Sequence, residues 1–180
     1  MIFKETVLKG AFVIEPEPVT DERGLFARTW CQQEFTAQGL SARWVQSSVS
    51  FNNRKGTLRG MHYQAAPHEE VKLVRCTMGA IYDVIVDLRP ASPTCCQHIG
   101  VMLSSENRRM LYIPGQFAHG FLTLEDQSEI SYHMSDFYMP SSARGFRWDD
   151  PSFCIEWPEP VTTMSERDRT WPIYFKTSHL

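Results

Sequence analysis

Strong charge of either sign is absent from these 180 residues: 18 Lys and Arg stand against 21 Asp and Glu, a formal net charge of −3. Bulk electrostatics therefore give no support for nucleic-acid binding, whose footprint is a strongly basic domain or face. Long apolar runs are lacking too. The greasiest stretch, Ala80 to Leu88, contains Asp83 and Asp87 and falls far short of the roughly 20 apolar residues of a membrane-spanning helix. The opening Met1-Ile2-Phe3-Lys4-Glu5 has no basic segment leading into an apolar core, so no secretory leader is expected. The five cysteines (Cys31, Cys76, Cys95, Cys96 and Cys154) are odd in number, irregularly spaced and without a Cys-x-x-Cys pair. That argues against a disulfide framework and for a reducing, cytoplasmic setting. The adjacent Cys95 and Cys96 are read as buried or idle thiols rather than a redox pair. Helix signals are few. Gln32 to Gln38 before Gly39 reads as one short helix with a glycine C-cap, and Ser165-Glu166-Arg167-Asp168 as a helical turn with Ser165 at its N-cap. Repeats, low-complexity tracts and linkers are not found, and one domain spanning 1–180 is expected.

What is present is β character. Hydrophobic residues make up 42% and charged residues 22% of the chain, the balance of a folded globule. Short segments rich in β-branched and aromatic residues alternate with Gly, Pro, Asn and Asp: Ala11 to Ile14, Val45 to Phe51, Thr57 to Tyr63, Val71 to Thr77, Ala80 to Leu88, Ile99 to Leu103, Met110 to Ile113, Phe117 to Leu124 and Glu129 to Met134. Met78-Gly79 reads as a hairpin break between two of them. Many short strands at close spacing predict an all-β fold, an antiparallel barrel or sandwich with a few short helices, because closing a sheet removes its edges. A small barrel has a mouth where a ligand fits.

Polar residues inside these strands are the informative ones. Arg59 and His62 lie three apart around Gly60, Lys72 interrupts Val71-Lys72-Leu73-Val74, His119 sits among Phe117, Ala118, Gly120 and Phe121, and Tyr132 follows Ile130 and Ser131. Each alone has an ordinary reading: a satisfied core histidine, a lysine whose stem reaches the rim, a tyrosine filling a strand. Together, on successive strands of a barrel, they favour a ligand site.

Gly60-Met61-His62 through Gly79, then Pro114 to His119, is similar to the two halves of a cupin metal motif. A metal cupin takes a second histidine two residues after the first; here Gln64 stands there. His62, His119 and Glu69 or Glu70 would suffice for iron as two imidazoles and a carboxylate, but Lys72 would bring a cation beside the metal. The expectation is a cupin-type barrel, or jelly roll, with no metal and no cofactor.

Longer runs carry a sharper resemblance. Lys55-Gly56-Thr57-Leu58-Arg59-Gly60-Met61-His62-Tyr63-Gln64, Lys72-Leu73-Val74-Arg75-Cys76, Asp83-Val84-Ile85-Val86-Asp87-Leu88-Arg89 and Phe117-Ala118-His119-Gly120-Phe121 resemble the dTDP-4-dehydrorhamnose 3,5-epimerase family, as do Asp21-Glu22-Arg23-Gly24 and Arg144-Gly145-Phe146-Arg147-Trp148. The resemblance runs from Lys4 to about Trp171. It implies a metal-free cupin barrel, usually a homodimer, that inverts C3 and C5 of a 4-keto-6-deoxyhexose attached to a nucleoside diphosphate. Carried over by position, it implies His62 as proton acceptor with Asp168 as its carboxylate partner, Tyr132 as proton donor on the opposite face, and Lys72 beside the C4 oxygen. Arg23, Gln46, Arg59, His119 and Arg167 would hold the phosphates and neighbouring groups, and Tyr138 would stack on the base.

The residue types suit that chemistry. A hydrogen beside a ketone is acidic because the carbanion is an enolate, and imidazole is a suitable base near neutrality. An ammonium offsets enolate charge best where water is excluded, and arginines grip diphosphates through charge-assisted hydrogen bonds. The chain departs from the family pattern at three binding positions: Arg28 and Ala143 where Glu is usual, and Ser48 where Asn is frequent. The reaction type survives these departures, whereas the nucleotide is left open. Asp83 is a further inward residue, either an anchor for Lys72 or a structural acceptor. Rival readings are an epimerase of another nucleotide sugar or of a single carbon, a metal cupin oxygenase, and a sugar-nucleotide binding protein.

Overall fold

A computed structural model describes residues 1–41 and 43–174. The strands are β1 (Ile2–Glu5), β2 (Phe12–Glu15), β3 (Val19–Asp21), β4 (Gly24–Phe26), β5 (Gln46–Asn52), β6 (Leu58–Gln64), β7 (Lys72–Met78), β8 (Ala80–Asp87), β9 (His98–Ser104), β10 (Met110–Ile113), β11 (Phe117–Thr123), β12 (Ser128–Met134) and β13 (Ala143–Gly145). Helices are short: α1 (Gln32–Ala37) and α2 (Glu166–Thr170). A six-stranded sheet in the order β1-β2-β10-β7-β12-β5 faces a five-stranded sheet in the order β13-β6-β11-β8-β9, and β3-β4 forms a separate two-stranded arm. The pairings within both large sheets are antiparallel.

Strand alternation sends alternate side chains between the sheets. Val74 and Cys76 of β7, Leu111 and Ile113 of β10, and Ile130 of β12 meet Ile81 and Ile85 of β8, Leu103 of β9, and Phe117 and Phe121 of β11 in one buried cluster. That cluster fills one part of the interior and leaves the other to polar residues. Outside the six-stranded sheet, Phe35 of α1 packs on Ile14, Leu73, Met110 and Tyr112. Outside the five-stranded sheet, Phe146 and Phe153 cover Met61, Val84, Val86 and Ala118. The expected helices are there, with Ser165 Oγ accepting from the Asp168 N–H at 3.1 Å to cap α2.

Met78-Gly79 is not a hairpin. β7 belongs to the six-stranded sheet and β8 to the five-stranded one, so the break carries the chain from one sheet to the other. Gly79 has φ +69°, and a Cβ there would lie 2.5 Å from Ser128 Oγ. Left-handed backbone and a close neighbour both require glycine, and neither distinguishes a hairpin from a crossing.

A bulge places the polar residues of β6. His119 pairs with His62 and Phe121 with Arg59, so Gly60 and Met61 together oppose Gly120 alone. Two residues against one is a β-bulge, which resets the side-chain alternation. Arg59 and His62, three apart, therefore both line the same cavity, where a regular strand would send them to opposite faces. The crossing is tight: a Cβ on Gly60 would sit 2.7 Å from Gly120 Cα, and one on Gly120 would sit 2.6 Å from Met61 Sδ and 2.9 Å from the Arg59 carbonyl oxygen.

Candidate active site

A cavity of about 350 Å³ opens between the sheets, a size suited to a small-molecule ligand. Arg59, His62, His119 and Phe121 line it from the five-stranded sheet, and Gln46, Ser50, Lys72, Tyr132 and Met134 from the six-stranded one. Glu70, Tyr138 and Asp168 complete the wall. An adjoining cavity of about 260 Å³ shares Arg59, His62, Glu70, Tyr138 and Asp168 and adds Arg167.

The C-terminal segment delivers Asp168. The Thr163 carbonyl accepts from the Leu58 N–H at 2.9 Å, tying this segment to the start of β6. Past that bond, α2 turns Asp168 inward until its Oδ1 lies 2.6 Å from His62 Nε2. Asp168 is 6% exposed and His62 40% exposed, so the ring presents itself to the cavity from a nearly dry support. Burial pushes the Asp168 carboxyl upward. The His62 hydrogen bond and charge, with the Ser165 hydroxyl and the Gly60 backbone, outweigh it and hold the group below the usual carboxylate range. Asp168 is therefore an anion beside the imidazole, able to orient it and to stabilise an imidazolium.

Tyr132 faces that pair from the other sheet. Burial of its hydroxyl, helped by the nearby Asp83 carboxylate and opposed by Arg59, raises its pKa well above the ordinary tyrosine value. Tyr132 thus stays protonated across the physiological range and is available as a donor. The His119 ring stands edge-on to it at 6.0 Å and hydrogen-bonds Asp83 Oδ1 through Nε2.

Lys72 is anchored by Glu70, with Nζ 3.0 Å from Oε1. Of the two readings of Asp83, the structural acceptor is the one found: it bonds His119, not Lys72. Residues 65–71 return Glu70 to the head of its own strand, whereas Asp83 lies on the opposing sheet behind the His119 ring. Of the groups considered for iron, His62 is engaged by Asp168, His119 by Asp83 and Glu70 by Lys72. Gln64 accepts from the Met139 N–H at 2.7 Å and donates to the carbonyls of His68 and Phe137, both at 3.1 Å. Among the described residues no group of three or more His, Cys, Asp or Glu is placed to hold a metal ion.

Comparison with known proteins agrees with this geometry. The family model for dTDP-4-dehydrorhamnose 3,5-epimerase matches residues 5–175. The chain belongs to the dTDP-4-dehydrorhamnose 3,5-epimerase family. An epimerase of that name from Methanothermobacter thermautotrophicus is 45% identical over 172 residues, covering 94% of this chain and 92% of the relative. The crystal structure of the Bacillus anthracis epimerase with TDP and PPi bound superimposes with a TM-score of 0.93 at 37% identity, covering 96% of this chain and 99% of the other. A 3'-monoepimerase from Streptomyces bikiniensis in complex with dTDP-quinovose gives a TM-score of 0.87 at 30% identity, over 93% and 85% of the two chains. The expected cupin-type jelly roll is the fold of this family.

Of the positions singled out in this epimerase-family sequence, His62, Lys72, Tyr132, Asp168, Arg59, His119, Gln46 and Tyr138 meet around the main cavity. Arg167 reaches the adjoining one, its guanidinium 5.0 Å above the Trp171 ring. Arg23, Arg28 and Ser48 do not line the main cavity within one chain. Arg23 is 85% exposed on the β3–β4 arm and paired with Asp21, while Arg28 is 63% exposed and paired with Glu34 at 2.8 Å. Ser48 pairs with Tyr132 across β5 and β12 but is exposed at the sheet edge. Ala143 borders the adjoining cavity. Reading the sequence missed Ser50, Phe121 and Met134 as cavity walls. The two-residue period of β5 from Gln46 and of β12 from Tyr132 was the available signal. It also missed Asn52, whose Oδ1 accepts from Arg59 Nε at 2.7 Å and holds that guanidinium.

Proposed function

We propose that the chain is a nucleotide-sugar epimerase that inverts C3 and C5 of a dTDP-4-keto-6-deoxyhexose through enolate intermediates, without a metal. The observation that carries this reading is the placement of the His62–Asp168 pair on one sheet wall and Tyr132 on the facing wall of a single cavity. Inversion requires a proton to leave one face of a carbon and another to arrive on the opposite face. His62 takes the proton, and Asp168 stabilises the resulting imidazolium. Charge accumulating on the C4 oxygen is met by the Lys72 ammonium, most effectively in a cavity shielded from water. Tyr132 then protonates the far face.

Arg59 and Arg167 supply charge for the diphosphate, and Tyr138, half exposed at the rim, offers a ring for the base. Arg23 and Arg28 complete the phosphate site from a second copy of the chain in a cytoplasmic homodimer. Support for the dimer comes from the arm, where Val19 and Phe26 are 71% and 79% exposed, and from the edge strand β5, where Val49 and Phe51 are 63% and 46% exposed. Apolar side chains on an unpaired edge favour pairing with another chain.

The test is to incubate the protein with dTDP-4-keto-6-deoxyglucose and read the product configuration at C3 and C5 by NMR. Inversion at both carbons is expected from the natural chain. His62→Asn is expected to lose about a thousandfold in rate, within the range for removal of a general base. Unchanged sugar after prolonged incubation would refute the reading.

A further inference from the structure

Glu70 takes no part in the proton transfers set out above, yet it borders both cavities. Its Oε1 takes Lys72 Nζ at 3.0 Å, with the two side chains 12% and 11% exposed. Its Oε2 lies 3.4 Å from Gln64 Nε2. Gln64 is fixed in turn by Phe137 and Met139, the neighbours of Tyr138, and the Tyr138 N–H donates to Gln46 Oε1 at 3.2 Å. One carboxylate therefore joins the lysine on β7 to an amide on the opposing sheet and, through it, to the Tyr138 segment.

A lysine stem is flexible and its ammonium is a point charge. At a site this enclosed, an ammonium without a counter-charge turns toward water. Glu70 holds it in place while occupying one of three N–H donors, so two remain for the cavity. Resting on the epimerase reading, we propose that Glu70 is a positioning residue that holds the Lys72 ammonium at the C4 oxygen of the substrate as the enolate forms. Glu70 acts through Lys72 and does not itself transfer a proton.

Positioning of this kind appears in the rate more than in binding, because the ammonium matters most when charge develops. Glu70→Ala is expected to lower kcat on the order of tenfold, as misplacement of a catalytic group does, with KM changed by less than about twofold. Glu70→Asp, which keeps the charge on a shorter stem, is expected to recover part of that loss. In a Lys72→Met background, Glu70→Ala should cost nothing further, since two residues acting as one unit are non-additive.

The same contact is readable without substrate. In the ligand-free protein, acylation of Lys72 by acetic anhydride, followed by mass spectrometry, should be several-fold faster in folded Glu70→Ala and Glu70→Gln than in the natural chain. An equal kcat loss in the Lys72→Met background, a change in KM alone, or an unchanged acylation rate would each overturn the assignment. If the natural chain epimerises none of the nucleoside-diphospho-4-keto sugars offered, the functional reading fails, and the acylation rates still decide whether Glu70 governs Lys72.

Discussion

Asp168 Oδ1 lies 2.6 Å from His62 Nε2, across 106 residues of chain. The bond links β6 to the short helix α2 and makes the segment that carries Asp168 part of the cavity wall. Asp168→Asn keeps the shape and removes the charge. It is expected to lower kcat by about a hundredfold, because the imidazolium formed on proton abstraction loses its counter-ion. Combined with His62→Asn, the loss should be no larger than for His62→Asn alone. Steady-state rates of the three variants check this.

In the proposed reaction Tyr132 is the group that separates abstraction from inversion. With its hydroxyl protonated well beyond neutral pH, Tyr132→Phe removes the donor and leaves the base intact. Exchange of the sugar C–H with solvent deuterium at retained configuration should persist, while inversion falls by about a hundredfold. NMR of the recovered substrate distinguishes the two. Equal loss of exchange and inversion would place Tyr132 outside proton return.

Gly120 is the clearest packing constraint near the site. A Cβ there would meet Met61 Sδ at 2.6 Å and the Arg59 carbonyl oxygen at 2.9 Å. The second contact is backbone and cannot swing aside. Gly120→Ala is expected to destabilise the fold by about 2 kcal/mol, the usual scale of overpacking. It should also disturb the bulge that aims Arg59 and His62 together. Urea unfolding and kcat/KM should therefore both fall.

Asp87 anchors the loop after β8. Its carboxylate takes Arg89 Nε at 2.8 Å, Ser92 Oγ at 2.6 Å and Thr94 Oγ1 at 2.7 Å. Burial pushes the carboxyl up, but the Arg89, Ser92 and Thr94 hydrogen bonds together prevail and bring it down to about 2. Its stabilising effect is complete above the unfolded value of about 3.9 and is lost as pH falls through about 2. Asp87→Ala should cost about 2 kcal/mol at neutral pH, because Ser92, Thr94 and the half-buried Arg89 lose their shared acceptor. The gap from the natural chain should close between about pH 4 and pH 2. Denaturant midpoints across that range provide the check.

Much of the fold was legible because strand alternation and turn residues are local signals. The expected runs from Ala11 to Met134 appear as β2 and β5 to β12, with ends shifted by at most one residue. The short β1, β3, β4 and β13 were not read. β3, β4 and β13 have three residues each, too brief for a period to register; β1 is an exposed edge strand that ends in Lys4 and Glu5, and β13 exists through its pairing with β6. The division into two sheets was hidden at Gly79, where a crossing and a hairpin ask for the same residue. Within the site, the motif runs contain His62 and Lys72, and the family resemblance carried over Tyr132 and Asp168 by position. What they could not convey was the bulge at Gly60-Met61 or the partner of Lys72. Both depend on contacts between segments remote in sequence or on the course of a loop.

The most direct test of the central claim is incubation of the natural chain with dTDP-4-keto-6-deoxyglucose in heavy water, with deuterium located by NMR. Double inversion through His62 and Tyr132 predicts solvent deuterium at both C3 and C5 of the inverted sugar. Deuterium at one carbon only, or at neither, would contradict it.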